Sequence, residues 1–212
     1  MLNTTVTGLI LSGGKSSRMG QDKGRMIVNE KPLIQWAIES LSPQVNECWI
    51  NANDDQADYA KWGLKIIKDE APFFQCGPLS GIYTALKIIQ TEWLAVIPID
   101  SPWIPPQFIT QQLSVVTTGK INHQKKNQPL TILVAQENGM IEPMFSIIHR
   151  TAYSRLVEFL HENEKKSSSA FLLTLPHIKT IWQDKFYFCH NLNTQKDIVL
   201  YQKNKRLKKS PA

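Results

Sequence analysis

The stretch SGGKSSRMGQDKG, residues 12–24, sets Lys15, Arg18 and Lys23 close behind the paired glycines Gly13 and Gly14. Glycines let backbone N–H groups approach a ligand closely. Three cations beside them suit a ligand that carries several phosphate charges, with the Arg18 fork adapted to bidentate contact. A second polar signal lies far along the chain in VIPIDSPWIP, residues 96–105, where Asp100 follows an apolar run. A carboxylate in such a place, completed by phosphate oxygens, is an ordinary magnesium shell. The same Asp-Ser-Pro can instead open a turn or cap a helix. Two familiar phosphate loops do not fit. A P-loop needs GxxxxGK[ST]: Gly14-Lys15-Ser16 supplies its end, but Leu9 stands where the first glycine must be and Gly8 is one residue too early. A dinucleotide GxGxxG is absent from this stretch as well. These residues alone indicate a phosphate-rich ligand, against the alternative of a surface turn with scattered charge.

The elements that position these groups alternate. Residues 6–11, 48–51, 64–67 and 93–97 are short apolar runs that read as buried strands. Between them, residues 33–41, 55–62 and 79–89 have helical spacing. Strands alternating with helices predict a parallel sheet with right-handed crossovers and helices on both faces. In such a sheet, ligands bind outside the carboxyl ends of the strands. The first strand is therefore apolar because it is buried on both faces, and the loop after it is polar because it borders a crevice. Beyond Pro105-Pro106 the pattern weakens. Residues 107–116, 151–162 and 194–201 look helical, and 131–135 and 140–147 look like strands flanking a turn at Glu137-Asn138-Gly139. Residues 119–129 are polar and read as a loop.

Composition narrows the class. A chain of 212 residues fits one domain, with 42% apolar and 20% charged residues typical of a globular protein. No apolar run reaches a membrane span, and the N-terminus lacks a secretory pattern. The three cysteines are scattered without a CxxC, which argues against a disulfide framework or zinc site and for a reducing cytoplasm. The net charge of +6 hints at nucleic acid, but KNKRLKK near the C-terminus carries five of those charges with no aromatic residue among them. The expectation is a basic, frayed tail at 203–212 behind a single domain at 1–202, with no nucleic-acid partner. The five histidines have no metal-ligand spacing.

The opening stretch is similar to the signature of nucleotidyltransferases with a GT-A-like Rossmann fold, written loosely L-[AS]-[GA]-G-x-[SA]-x-R-M-G-x-[DN]-K. Within that superfamily the chain most resembles the molybdenum cofactor guanylyltransferase family. WINAN (49–53), IIKDE (66–70), CGPLSGI (76–82), VIPIDSPWIP (96–105) and HNLNTQKDI (190–198) match its further motifs in order, over nearly the whole chain. The resemblance implies an α/β fold, a Rossmann-like three-layer α/β/α with a mostly parallel open sheet of the nucleotide-diphospho-sugar transferase type. It implies transfer of GMP from GTP to molybdopterin or the molybdenum cofactor, with magnesium as cofactor and pyrophosphate as product. The alternatives are a relative using CTP or another acceptor, and a non-catalytic nucleotide-binding module.

The resemblance also implies roles. Leu11, Ser12, Gly13, Gly14, Lys15 and Lys23 would hold the nucleotide, with Lys23, Arg18 and Asp100 at the reacting phosphate and Asp100 on the metal. Asn51 and Asp69 would contact guanine and ribose, although either residue type also makes ordinary turn hydrogen bonds. Asn191 and Asn193 would face the pterin, and Asn193-Thr194 also reads as a helix cap. Two departures stand out: Ser12 replaces the commoner alanine, and Cys189-His190 precedes Asn191 where an apolar or aromatic residue is usual. The expected setting is a cytoplasmic monomer that meets cofactor-insertion and molybdoenzyme partners.

Overall fold

A computed structural model describes residues 4–12, 23–53, 56–117, 131–135, 139–163, 166–181, 192 and 197. Its centre is a seven-stranded sheet built from β1 (Val6–Leu11), β4 (Glu47–Asn51), β5 (Lys65–Ile67), β6 (Trp93–Pro98), β7 (Thr131–Ala135), β8 (Ile141–His149) and β9 (His177–Ile181), in the order β5-β4-β1-β6-β8-β7-β9. β5, β4, β1 and β6 are mutually parallel. β8 runs antiparallel to both β6 and β7, and β9 is parallel to β7. A two-stranded ribbon, β2 (Ile27–Val28) and β3 (Lys31–Pro32), stands apart. Its turn residues Asn29 and Glu30 both have positive φ, as a two-residue hairpin turn of primed type requires.

Among the described residues, six helical segments flank the sheet: α1 (Leu33–Leu41), α2 (Gln56–Ala60), α3 (Pro78–Ile88), α4 (Phe108–Thr117), α5 (Tyr153–Glu162) and α6 (Ser168–Thr174). Two apolar cores result, one on each face. β1 divides between them by strand alternation: Val6 and Ile10 pack with Leu33, Ala37, Leu41 and Phe108, whereas Leu9 and Leu11 pack with Leu79, Ile82 and Phe171. All six residues of β1 are buried, as a central parallel strand must be. The strand directions therefore agree with the alternation read from the sequence. Among the described residues, no helix is long and apolar enough to cross a membrane.

The strand ends are level where it matters. Leu11 is registered with Asn51 on one side and Pro98 on the other, and Asn51 with Ile67. Ser12, Asn53, Asp69 and Asp100 thus emerge together at the carboxyl edge of four parallel strands. The chain leaves β1 toward β4 and β5, and later returns on its other side as β6. That makes the gap between β1 and β6 the topological switch point, the place where open α/β sheets bind ligands.

Candidate active site

At this edge Lys23 and Asp100 form an ion pair, with Nζ donating to Oδ2 at 3.1 Å and both side chains mostly shielded. Lys23 begins a short 3-10 turn, Lys23–Arg25, that leads the chain back from residues 13–22. The Met26 N–H closes this turn on the Lys23 carbonyl at 3.1 Å. Asp100 lies two residues beyond β6, in a turn where the Ser101 N–H donates to the Pro98 carbonyl. Its carboxylate meets Lys23 and does not cap α4, which begins only at Phe108. α1 stabilises the flank: Ser40 Oγ donates to the Pro102 carbonyl at 2.6 Å, which fastens the segment after Asp100 to α1.

Asn51 and Asp69 also meet. Asn51 is 3% exposed, and its Nδ2 donates to Asp69 Oδ1 at 3.1 Å and to the Ile67 carbonyl at 3.4 Å. Asn53 completes the arrangement with a reciprocal pair: Nδ2 donates to Asp69 Oδ2 at 2.8 Å, and its Oδ1 accepts from the Asp69 N–H at 2.8 Å. Asp69 is thus clamped by two amides from the adjacent strand end, and Asn51 acts as its support. The neighbouring Glu70 turns away to pair with Lys87 of α3 at 2.7 Å, and this contact raises the Lys87 amine above its ordinary value. α3 approaches Asn51 closely at Gly81, where a Cβ would collide with the Asn51 amide and sit 3.0 Å from Leu11 Cδ2. Gly77, before Pro78 at the start of this helix, has φ +63° and ψ −147°, a conformation essentially confined to glycine. The Gly-Pro pair therefore has a backbone reason of its own.

Backbone groups of Leu11 and Ser12 extend the sheet at its edge. The Leu11 carbonyl accepts from the Ile99 N–H, and the Ser12 N–H donates to the Asn51 carbonyl, both at 3.0 Å. Ser12 Oγ shares a hydrogen bond with the hydroxyl of Tyr59 on α2. Of the residues singled out in the sequence, Leu11, Ser12, Lys23, Asn51, Asp69 and Asp100 gather here. Gly13, Gly14, Lys15, Arg18, Asn191 and Asn193 lie outside the described residues. Between the last two, Leu192 is described: it is buried at 1% exposure, and its N–H donates to the Asp100 carbonyl at 2.8 Å. Leu192 therefore lies at the same strand end as Asp100.

The sequence reading had not singled out Asn53 or Tyr59. Asn53 was legible as the last residue of WINAN, two positions beyond Asn51 and so on the same side of an extended chain. Tyr59 had no such signal, because its role depends on where α2 packs. Among the described residues, no group of three or more His, Cys, Asp or Glu could hold a metal ion. Asp100 is a single hard oxygen donor, the kind a magnesium ion takes when phosphates and water supply the rest of its shell.

A strand-end site at the switch point of a mostly parallel sheet, with an acid and a lysine paired over it, is the architecture of a nucleotide-handling α/β transferase. The chain belongs to the MobA-like NTP transferase domain family, whose model matches residues 8–177. A molybdenum cofactor guanylyltransferase of Yersinia pseudotuberculosis is 32% identical over 206 residues, covering 97% of this chain and 99% of that protein. Among solved structures, a molybdopterin-guanine dinucleotide biosynthesis protein A from Archaeoglobus fulgidus superposes with a TM-score of 0.74 at 18% identity, covering 95% of this chain and 99% of the other. A Mycobacterium tuberculosis protein solved in complex with manganese superposes with a TM-score of 0.63 at 11% identity, covering 94% and 99%. At these identities the two structures speak for the fold.

Proposed function

We propose that this protein transfers the GMP moiety of GTP to molybdopterin or the molybdenum cofactor, forming molybdopterin guanine dinucleotide and pyrophosphate. The near full-length similarity to a guanylyltransferase supports the reaction. The observation that carries its location is the Lys23–Asp100 pair at the carboxyl edge between β1 and β6. An oxygen of the acceptor's terminal phosphate forms the new bond to the α-phosphorus of GTP. The bond from that phosphorus to the bridging oxygen of pyrophosphate breaks, and pyrophosphate leaves with the electron pair. Such transfers need little covalent chemistry from the protein and much positioned positive charge.

Each residue has a part in this reading. Lys23 meets the charge that grows at the transferring phosphate. Arg18 and Lys15 bind phosphate oxygens, and Gly13 and Gly14 let backbone amides come close. Asp69, held by Asn51 and Asn53, accepts from N–H or hydroxyl groups of the guanosine. Leu11 and Ser12 line the base side, and Asn191 and Asn193 hold the pterin. Asp100, together with nucleotide phosphates, would hold magnesium. When bound, that ion neutralises phosphate charge and favours departure of pyrophosphate. Residues 1–202 form one nucleotidyltransferase domain and 203–212 a basic tail. The protein works as a cytoplasmic monomer and hands its product to cofactor-insertion and molybdoenzyme partners.

The test is nucleotide choice. Purified protein with magnesium and molybdopterin is given GTP, CTP or ATP, and pyrophosphate release is measured. GTP is expected to be preferred, and its release to depend on the pterin. A preference for CTP overturns the guanylyl assignment. In a parallel thermal-shift titration, a nucleotide present at 100 times its dissociation constant stabilises the fold by about 2.7 kcal/mol.

A further inference from the structure

Lys23 meets Asp100 from the Lys23–Arg25 turn, and α2 contacts that turn in two places. Asp58 pairs with Arg25, the last residue of the Lys23–Arg25 turn. Tyr59, the next residue, is 2% exposed, and its hydroxyl bonds Ser12 Oγ, just past the end of β1. The same hydroxyl lies against Gly24, where a Cβ would overlap it and would also sit 3.1 Å from the ring Cζ. One buried side chain therefore touches both flanks of residues 13–22: Ser12 on the strand side and Gly24 beside Lys23. Gly24 is buried in turn, so the contact leaves no room for a side chain there.

We propose that Tyr59 is a positioning residue of the transfer site: its hydroxyl ties the end of β1 to the Lys23–Arg25 turn and so fixes the Lys23 amine opposite Asp100. This rests on the reading of the Lys23–Asp100 pair as the place of nucleotidyl transfer. Ser12 is the partner that makes the tie directional. The alanine usual at this position of the signature has no hydroxyl to give, so the Ser12–Tyr59 bond belongs to this chain's own residues. A shift of an ångström at a reacting centre lowers rates steeply, and a side chain that never touches substrate can therefore control turnover.

The experiment compares wild type, Tyr59→Phe, Ser12→Ala and the double variant. It measures turnover and KM for GTP in magnesium, thermal stability, and the rate at which the Lys23 amine is acetylated without nucleotide. Each single variant is expected to lose about tenfold in turnover while remaining folded at the assay temperature. The double variant is expected to lose no more than the worse single one, because both remove the same bond. Lys23 acetylation should speed up several-fold in Tyr59→Phe. Gly24→Ala, which displaces the hydroxyl by another route, should lower turnover as well. Unchanged turnover per folded molecule, additive losses, or unchanged Lys23 acetylation each overturn the proposal. Wild type that labels as expected but transfers no GMP overturns the functional reading instead, and the acetylation comparison still decides the role of Tyr59.

Discussion

Lys23 Nζ and Asp100 Oδ2 stand 3.1 Å apart across 77 residues of chain, joining the loop after β1 to the turn after β6. Under the proposed function the pair joins two groups with opposite tasks, Lys23 for phosphate and Asp100 for a metal. Neither side chain is fully buried, at 28% and 20% exposure. The pair is thus partly open to solvent, and its own contribution to stability is small, on the order of 1 kcal/mol or less. Its value lies in placement: each side chain holds the other at the carboxyl edge between β1 and β6.

Asp100→Asn keeps the shape of the side chain and removes its charge. Transfer activity is expected to fall by at least about 10²-fold with the fold retained, and the magnesium requirement to rise. A magnesium titration of pyrophosphate release, alongside circular dichroism, checks both. An unchanged titration at full activity removes Asp100 from the metal site.

Gly81 makes a sharper test of the Asn51–Asp69 clamp. In a helix interior, Gly→Ala ordinarily gains about 1 kcal/mol. Here the new Cβ would strike the Asn51 amide and approach Leu11 Cδ2 at 3.0 Å. Overpacking of this kind costs about 1–3 kcal/mol, so the clash outweighs the propensity. Gly81→Ala is expected to lower the melting temperature and weaken GTP binding together, because moving Asn51 releases Asp69. A variant that melts above wild type shows that Asn51 yields freely and that the clamp is unimportant.

Much of this was legible in the sequence, and the reasons are physical. β1, read as 6–11, and α1, read as 33–41, have the predicted bounds, since an uninterrupted apolar run and a clear helical stripe each leave one option. The bounds of β4, β5 and β6 move by one residue at an end, and those of α3 by one at each end. β8 extends two residues further, to His149, and α5 starts at Tyr153 because a 3-10 turn occupies Arg150–Ala152. The ribbon of β2 and β3, the helix α6 and the strand β9 were not read. The ribbon has two residues per strand, too few for any period, and β9 alternates around a partly exposed edge position with little apolar content. Residues that meet at the candidate site were legible where a motif marked them, as for Lys23 and Asp100. Tyr59 was not, because only packing brings α2 onto Gly24. Residues 119–129, the turn residues Glu137 and Asn138, and the tail lie outside the described residues, as does all of 194–201 except Asp197, which is helical.

Burial pushes the Cys48 thiol up to about 12, in the core on the α1 face of the sheet. The thiol's folded value lies above its ordinary one of 9.0, so the fold favours the neutral form. That contribution is complete below pH 9 and is lost as pH climbs toward 12. Thermal stability of wild type is therefore expected to fall more steeply above pH 9 than that of Cys48→Ala. Iodoacetamide at pH 8 should label the half-buried Cys76 in the native protein and Cys48 only in denaturant, read by peptide mass spectrometry. Native labelling of Cys48 at the rate of Cys76 contradicts this.

The division of the site between nucleotide and acceptor is tested by opposing variants. Lys23 is expected to meet charge that grows during transfer, so Lys23→Ala should lower turnover by about 10²–10³-fold, the loss typical of a missing transition-state contact. Asn191 and Asn193 are expected to touch only the pterin. Between them, the Leu192 N–H bonds the Asp100 carbonyl at 2.8 Å, whereas Asp69, proposed to meet the guanosine and held by Asn51, lies past the end of β5. Changing both asparagines to alanine should raise the molybdopterin concentration needed for half-maximal rate and leave GTP affinity nearly unchanged. Two titrations on each variant decide it, one of GTP binding by calorimetry and one of rate against molybdopterin. If the asparagine double variant loses GTP affinity as badly as Lys23→Ala, the closing motif serves the nucleotide or the fold. The Leu192–Asp100 hydrogen bond then gives the route, since a displaced Asp100 would disturb the phosphate side directly.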